Sequence, residues 1–339
     1  MSAAERGVLV LPDRGAYTAS SLGSLDPGHR WVRRADELRA AAGLPPLTEL
    51  DGAPRFDPRL HLQPIHVCPL TWLASLLDAE RAAADHHIAA VIGNSLGWYT
   101  ALTATGVLDF DDGFALVQEM GRLQQEPLPG GGRGGQVIYP LTDAEWQPDD
   151  ALRASVDAVL AASDGNGAGR AFPSVELGGY VVLAGDDAGV ERLLHLAPVR
   201  IGERTYPLRL ALHGPDHTPL VARIAEQATQ RLAGLRWGPP QVTLIDGRGA
   251  RWTPWSTDPL QLRHYTLGEQ VTTPFRFAAG LRVALREEAP DRLVLAGPGN
   301  SLGGICGQLL AVEGYHGIRS RADFERVQQR DPLVLSMRR

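Results

Sequence analysis

The feature that most constrains this chain is the five-residue motif G-N-S-L-G at residues 93–97. Residues 88–93 form an apolar run typical of a buried strand, and the residues after the motif indicate a helix with little polar surface. This context fits the G-x-S-x-G pattern of a nucleophile elbow, where close backbone approach admits only small residues on either side of Ser95. The hydroxyl would stand at the helix tip, where the helix dipole and backbone N–H groups favour a developing oxyanion. The alternative is an ordinary strand-to-helix turn that contains a serine.

A serine hydroxyl is a weak nucleophile unless a base takes its proton. The sequence has 10 histidines, so the base must be chosen by context. His217 comes immediately before Thr218 and Pro219, which form an N-cap followed by a first-turn proline. A histidine fixed at the entry to a helix is rigidly aimed, as a general base must be. His213 is the alternative in the same segment.

Composition excludes several classes of protein. A chain of 339 residues with 44 % hydrophobic content can form one large domain, or a large and a small one. Charged residues make up 21 % and the formal net charge is −6, so we expect no nucleic-acid partner. No stretch approaches the roughly 18 apolar residues of a membrane helix, and the N-terminus lacks a secretory signal, so we expect a cytoplasmic protein. Cys68 and Cys306 lack metal-ligand spacing, and no metal is expected.

The order of the predicted elements indicates an α/β fold interrupted by a smaller unit. Strands of the larger unit are predicted at residues 7–12, 88–93, 242–246 and 292–297. The glycine-rich stretch at 127–135 is the clearest linker, and a strand–helix–strand–helix pattern follows it as far as Tyr206. We therefore predict a large subdomain formed by residues 1–127 and 207–339, and an inserted small subdomain at 136–206.

The elbow and the residues after it resemble a known enzyme family. Residues 93–125 read G-N-S-L-G-W-Y-T-A-L-T-A-T-G-V-L-D-F-D-D-G-F-A-L-V-Q-E-M-G-R-L-Q-Q. Malonyl-CoA:acyl-carrier-protein transacylases have approximately G-H-S-L-G-E-Y-x-A-L-x-A-x-G-V-x-x-F-x-D-A-x-x-L-V-x-x-R-G. Further segments match in order, namely V-L-V-L-P-D-R-G-A-Y (8–17), Y-V-V-L-A-G (180–185), R-T-Y-P-L-R-L-A-L-H-G-P-D-H-T-P-L-V (204–221), L-G-E-Q-V-T-T-P-F-R-F (267–277) and L-V-L-A-G-P-G-N-S-L (293–302). The resemblance covers roughly residues 7–310.

This resemblance implies an α/β-hydrolase-like large subdomain with a ferredoxin-like insert, and an active site in the cleft between them. It implies that Ser95 is the nucleophile, that His217 is the base, and that the backbone carbonyl of Gln270 orients the imidazole. Backbone N–H groups of Leu96 and Arg14 would form the oxyanion hole. The implied substrates are acyl-CoA or phosphopantetheine thioesters and the implied partner is an acyl carrier protein. We expect no tightly bound cofactor and a monomer.

The sequence departs from the family pattern around the predicted acyl pocket. Met120 stands where the family has the arginine that clamps the malonyl carboxylate, and an unpaired carboxylate in a partly desolvated pocket costs several kcal/mol. Apolar Met120 suits an uncharged acyl chain better. Asn94 replaces the histidine that precedes the serine, and we expect it to tune hydrogen bonding near the elbow. Simple malonyl specificity is therefore not expected.

Two charged residues leave alternatives open. Asp216 either lies near the acyl pocket, where it would repel malonate and favour an amine- or hydroxyl-bearing acyl group, or points away and caps the helix at Thr218. Arg14 replaces a glutamine beside the elbow. Its guanidinium could restore a carboxylate clamp from the other side of the pocket.

The leading hypothesis is an acyltransferase of polyketide or fatty-acid-like biosynthesis that carries the acyl group on Ser95 and passes it to a phosphopantetheine thiol. If water resolves the acyl-enzyme instead, the protein is an editing thioester hydrolase. A non-catalytic carrier-protein-binding module is a third possibility, against which intact Ser95, His217 and Gln270 argue. A general esterase of the α/β-hydrolase kind would have its histidine near the C-terminus, whereas a long stretch follows His217 here.

Overall fold

The computed structural model of the protein describes residues 5–163 and 169–338. Within these ranges the strands are β1 (Arg6–Leu11), β2 (His87–Gly93), β3 (Gly135–Pro140), β4 (Ala171–Glu176), β5 (Tyr180–Gly185), β6 (Val199–Ile201), β7 (Arg204–Tyr206), β8 (Leu208–Arg209), β9 (Thr243–Ile245), β10 (Arg251–Trp252), β11 (Arg292–Leu295) and β12 (Val334–Ser336). The helices are α1 (Arg30–Ala41), α2 (Leu47–Asp51), α3 (Pro58–His61), α4 (Pro64–Asp85), α5 (Leu96–Ala104), α6 (Phe110–Leu123), α7 (Asp150–Ala161), α8 (Asp187–Leu193), α9 (Ala222–Arg231), α10 (Pro259–His264), α11 (Gln270–Thr272), α12 (Phe277–Glu288), α13 (Gly303–Val312) and α14 (Arg321–Arg330).

The larger sheet has the strand order β10-β9-β2-β1-β11-β12. Its neighbours are parallel except for β10, which pairs antiparallel with β9. β1 lies inside this sheet and its apolar run from Val8 to Leu11 is buried, as expected of a strand covered on both faces.

The register of the two inner strands brings two distant loops together. Leu11, the last residue of β1, pairs with Gly93, the last residue of β2. The segments that leave these strands therefore start side by side at the carboxyl edge of the sheet, where open α/β sheets bind their ligands. Arg14 lies in the first of these segments and Ser95 in the second.

The helices α4, α5 and α6 pack against one another. α5 follows Ser95 directly and is buried from Leu96 to Leu102, so the predicted helix with little polar surface is confirmed. α4 packs against both α5 and α6. α6 begins after Asp109, whose carboxylate accepts a hydrogen bond from the backbone N–H of Asp112.

The smaller sheet has the order β4-β5-β3-β8, with antiparallel neighbours. α7 connects β3 to β4, and α8 lies between β5 and β8, which is the β-α-β-β-α-β arrangement of a ferredoxin-like unit. The predicted α/β class with a ferredoxin-like insert is confirmed. This unit has its own buried cluster, formed by Val137, Tyr139, Val156, Ala171, Val181, Leu183, Val190, Leu193, Leu196 and Tyr206.

The limits of the two subdomains differ in detail from the sequence-based division. β8 pairs with β3, so the smaller sheet extends to Arg209, beyond the boundary predicted at residue 206. The rest of the division stays a prediction. Among the described residues, no helix combines the length and the apolar character needed to cross a membrane.

Candidate active site

Ser95 lies at a sharp turn between β2 and α5. Its φ of 53° and ψ of −109° are unusual for a residue with a side chain, a form of backbone strain that recurs at functional sites. A Cβ atom at Gly97 would press against the carbonyl oxygen of Leu11, and one at Gly93 would press against the backbone of Gly97. The elbow therefore requires both glycines of the motif, as the sequence predicted.

The structure brings Ser95 and His217 together, although 122 residues separate them in the chain. The distance between Ser95 Oγ and His217 Nε2 is 2.8 Å. On the other side of the ring, His217 Nδ1 lies 2.7 Å from the backbone oxygen of Gln270. A carbonyl can only accept, so Nδ1 carries the proton and Nε2 is left free to accept a hydrogen bond from the Ser95 hydroxyl.

His217 is buried, with 3 % of its surface exposed, and its φ is 59°. Burial lowers the pKa of His217 below its ordinary value of 6.5, and nearby Arg14 acts in the same direction. The Asp216 carboxylate and the hydrogen bond to the Gln270 carbonyl oppose this shift. The imidazole is therefore neutral at neutral pH, which is the state that a general base requires.

Thr218 caps a shorter element than the sequence indicated. Its side chain accepts a hydrogen bond from the backbone N–H of Leu220, at the start of the 3-10 turn Pro219–Val221. The α-helix α9 begins only after that turn. The rigid helix entry that the sequence predicted for His217 is therefore a 3-10 turn stacked on an α-helix.

The side chain of Gln270 is held as firmly as its backbone. Its Oε1 accepts a hydrogen bond from the Tyr99 hydroxyl at 3.0 Å, and its Nε2 lies 3.5 Å from the backbone oxygen of Ser95. A π-helical turn, Tyr265–Glu269, leads directly into Gln270, and such turns recur at functional sites. The carbonyl that accepts the hydrogen bond from His217 Nδ1 therefore has little freedom to move.

All the site residues that the sequence singled out line one cleft of about 200 Å³. Its lining includes Ser95, His217, Gln270, Leu96, Arg14, Met120, Asp216 and Asn94. The roles predicted for these residues stay predictions. His213 also lines the cleft, but its Nδ1 donates to the carbonyl of Ala211, and its ring is not the one in contact with the serine.

Arg14 and Asp216 form an ion pair inside the cleft, with 3.1 Å between Nη2 and Oδ2. Arg14 Nη1 also donates to Gln124 Oε1 at 2.9 Å. Asp216 therefore points into the cleft, and the alternative that it points away and caps the helix at Thr218 is wrong. The guanidinium is in the cleft as well, but a carboxylate of the chain itself already occupies it.

Asn94 joins the elbow to the loop after β1. Its Nδ2 donates to Asp13 Oδ2 at 2.8 Å, while the other carboxylate oxygen of Asp13 accepts from the backbone N–H of Gly15 at 2.7 Å. Burial raises the pKa of Asp13 above its usual value of 3.8, against the opposing effects of these hydrogen bonds and of Arg14. The contacts of Asn94 fit the structural role expected for it.

The smaller sheet is attached to the histidine segment at the backbone of Asp216. Ser174, in β4, donates its hydroxyl to the Asp216 carbonyl at 2.7 Å. Gln136, in β3, donates to that hydroxyl at 2.7 Å. Both polar side chains are buried, so this junction holds the imidazole at a set distance from the small subdomain.

Sequence reasoning missed three residues that hold the site. Tyr99 lies four residues after Ser95 and Gln124 lies four residues after Met120, so helical spacing could have placed both beside the predicted site. Ser174 had no such signal, because it lies in a strand that the sequence did not indicate.

The fold and the site define an α/β protein with a serine–histidine pair in a cleft between a large and a small sheet. No family model matches the chain. Curated relatives include malonyl CoA-acyl carrier protein transacylases of Haemophilus influenzae (28 % identical, 70 % of each chain covered) and Salmonella typhimurium (25 % identical, 89 % of this chain and 92 % of that one). The polyketide synthase GfsB of Streptomyces halstedii is 31 % identical over 62 % of this chain and 3 % of that protein.

Solved structures share the fold. The malonyl CoA-acyl carrier protein transacylase of Coxiella burnetii has a TM-score of 0.74 at 19 % identity, with 98 % of this chain and 94 % of that one covered. A malonyl-transacylase solved in complex with its type II polyketide-synthase acyl carrier protein has a TM-score of 0.73 at 20 % identity, with 98 % and 96 % covered. The chain is therefore similar in sequence and in fold to malonyl-CoA:acyl-carrier-protein transacylases.

Proposed function

We propose that the protein is an acyltransferase that moves an acyl group from a coenzyme A or carrier-protein thioester, through an ester on Ser95, to the phosphopantetheine thiol of an acyl carrier protein. The observation that carries this proposal is the 2.8 Å contact between Ser95 Oγ and His217 Nε2 at a strained elbow. An unpartnered serine would not be nucleophilic enough to open a thioester.

In the first half-reaction, Ser95 Oγ attacks the thioester carbonyl carbon while His217 Nε2 takes the hydroxyl proton. Backbone N–H groups of Leu96 and Arg14 are the donors proposed for the oxyanion of the tetrahedral intermediate. Collapse of this intermediate breaks the carbon–sulfur bond, and the proton on Nε2 goes to the departing thiolate. The Gln270 carbonyl, 2.7 Å from Nδ1, stabilises the imidazolium that exists between these steps.

The second half-reaction runs the same chemistry in reverse. Nε2 takes the proton of the acceptor thiol, and the sulfur attacks the ester carbonyl on Ser95. The carbon–oxygen bond to Ser95 then breaks, and Nε2 returns the proton to the serine oxygen. One base thus serves both halves.

The partner is proposed from the relatives. A relative that matches 89 % of this chain is named a malonyl CoA-acyl carrier protein transacylase, and one neighbour of the same fold was solved with a type II polyketide-synthase acyl carrier protein. Because the chain also matches part of a polyketide synthase, the proposed pathway includes polyketide as well as fatty-acid biosynthesis.

The acyl group is proposed to be uncharged rather than malonyl. Met120 is buried and lines the cleft at the position where the family resemblance implies a carboxylate-binding arginine. Much of the remaining lining is aliphatic, including Ile138, Val175, Leu177, Val182, Ile224, Val271, Leu302 and Ile305. A desolvated carboxylate has no partner among these side chains.

The test is intact-mass measurement of the protein after incubation with acetyl-, propionyl-, butyryl-, hexanoyl- and malonyl-CoA. We expect an adduct with the mass of an uncharged acyl group, and its loss to a carrier protein that bears phosphopantetheine. Ser95→Ala is the matched control and should gain no adduct.

Three outcomes would contradict the proposal in different ways. Loss of the acyl group at the same rate without the carrier protein would indicate a thioester hydrolase. A folded protein that no donor acylates would indicate a non-catalytic carrier-protein-binding module. Preferential loading by malonyl-CoA would contradict the proposed substrate while leaving the acyl transfer intact.

A further inference from the structure

The geometry points to Asp216 as the residue that sets acyl specificity: by pairing with Arg14 inside the cleft, it neutralises the cation that would otherwise hold a carboxylate. The protein would thereby select uncharged acyl groups against carboxyacyl groups. This inference rests on the proposed function and assigns one part of it to an ion pair.

The pair is enclosed. Only 6 % of the Arg14 side chain and 13 % of the Asp216 side chain are exposed. Gln124 ties the two charges together, because its Oε1 accepts from Arg14 at 2.9 Å and its Nε2 lies 3.3 Å from Asp216 Oδ1. Both terminal nitrogens of the Arg14 guanidinium thus donate to groups of the protein, and both oxygens of the Asp216 carboxylate accept from donors.

Asp216 cannot readily withdraw from the cleft. Its carbonyl is held by the Ser174 hydroxyl at 2.7 Å, and the next residue is His217, whose ring is fixed at both nitrogens. Thr218 already supplies the cap for the following turn. The Asp216 carboxylate therefore has a fixed position in the wall of the pocket.

The other titratable groups of the lining do not replace the missing positive charge. Among the described lining residues the other arginine, Arg204, is exposed, and an ion pair there is weak because water screens it. Burial raises the pKa of Cys68 to about 11, so that thiol is neutral. Asp13 accepts hydrogen bonds from Asn94 and from the Gly15 N–H and carries no positive charge. Burial lowers the pKa of His213 to about 3, so that imidazole is neutral as well. His217 is neutral for the reasons given above.

A carboxyacyl group on Ser95 would therefore bring a second carboxylate to a guanidinium that is already paired. Like charges in a partly desolvated site repel, and a single guanidinium shared by two carboxylates leaves a net negative charge. An uncharged acyl group of similar length meets no such penalty. Removing the Asp216 charge should free Arg14 for the substrate.

The experiment compares the rates of Ser95 acylation by malonyl-CoA and acetyl-CoA in wild type, Asp216→Asn, Arg14→Gln and the double variant. We expect wild type to favour acetyl-CoA. Asp216→Asn should raise the malonyl-to-acetyl ratio by at least about tenfold, a free-energy change of about 1.4 kcal/mol. The double variant should lose that gain, because it has no cation to release.

The experiment compares the malonyl-to-acetyl ratio because a change that affects both donors equally leaves this ratio unchanged. Asp216 raises the pKa of His217, so its removal changes the base for both donors alike, and the ratio cancels that change. If Asp216→Asn does not fold, the malonyl-to-acetyl ratio of Arg14→Gln provides a second test. This variant leaves the Asp216 charge unopposed and should lower the ratio below that of wild type.

An unchanged ratio in Asp216→Asn would overturn the inference, as would a gain that persists in the double variant. In either case acylation of Ser95 would still support the proposed function. Absence of acylation by every donor, in folded protein, would overturn both.

Discussion

At the scale of single residues, the site depends on how the imidazole of His217 is held. The ring lies between the Ser95 hydroxyl and the Gln270 carbonyl, and it is buried. Burial disfavours the charged imidazolium, so the pKa of His217 is lowered below 6.5, although Asp216 works against the shift. The neutral form, which accepts the serine proton, therefore persists to lower pH than in a free histidine.

We predict that the rate of Ser95 acylation stays level as the pH falls through 6.5 and declines only at lower pH. Asp216→Asn should move this decline to still lower pH, because the group that raises the pKa of His217 is gone. Single-turnover rates measured from about pH 8 to about pH 5 would show it, with tryptophan fluorescence to confirm that the protein stays folded. A decline centred above pH 6.5 would contradict the burial argument.

Residue identities at the site were predictable, but their pairing was not. Helix and strand context and the family resemblance singled out Ser95 and His217. The Arg14–Asp216 pair joins positions 202 residues apart, and no local pattern indicates which charges meet. The sequence left Arg14 as a possible clamp for a substrate carboxylate. In the structure the Arg14 guanidinium is already paired with the Asp216 carboxylate.

At the scale of elements, the elbow depends on close contact between α5 and the end of β1. A Cβ atom at Gly97 would press against the Leu11 carbonyl, and backbone cannot give way as a flexible side chain can. We predict that Gly97→Ala lowers the free energy of unfolding by about 2 kcal/mol or more and abolishes acylation of Ser95.

The matched control is Gly304→Ala in α13, where a Cβ atom meets nothing within 4 Å. That variant should gain up to about 1 kcal/mol, because alanine has the higher helix propensity. Urea unfolding of the two variants beside wild type measures both changes. Equal unfolding midpoints for Gly97→Ala and Gly304→Ala would contradict the packing argument.

Elements with an uninterrupted apolar pattern were predictable, including the short strands β9 and β11. β1, β2, α4 and α6 each have an apolar pattern that is visible without tertiary information. β4 was missed because Pro173 interrupts its pattern, and the structure accommodates this residue with a register shift between Pro173 and Val175.

At the scale of the whole molecule, β4 attaches the small subdomain to both segments that hold the imidazole. Val175 forms a parallel bridge with Phe275, and Ser174 accepts at its carbonyl from the Phe275 N–H at 2.8 Å. The Ser174 hydroxyl holds the Asp216 carbonyl. The geometry of the cleft is thus set by contacts between the sheets as well as within them.

We predict that Ser174→Ala lowers the free energy of unfolding by about 1–3 kcal/mol, because the buried Gln136 amide and the Asp216 carbonyl both lose a partner. It should also slow Ser95 acylation by loosening the segment that carries His217. Ser155→Ala is the control, since its half-buried hydroxyl donates to the Leu152 carbonyl in its own helix. If both variants unfold and react alike, the junction does not support the site.

The most direct test of the account is whether an ester on Ser95 lies on the path from donor to carrier protein. Rapid-quench sampling of a single turnover, followed by peptide mapping, measures the acyl group on Ser95 and on the carrier phosphopantetheine over time. We predict that the Ser95 adduct forms first and decays as the acyl-carrier protein appears. Acylation of the carrier while the Ser95 peptide stays unmodified, at a rate that Ser95→Ala does not change, would contradict it.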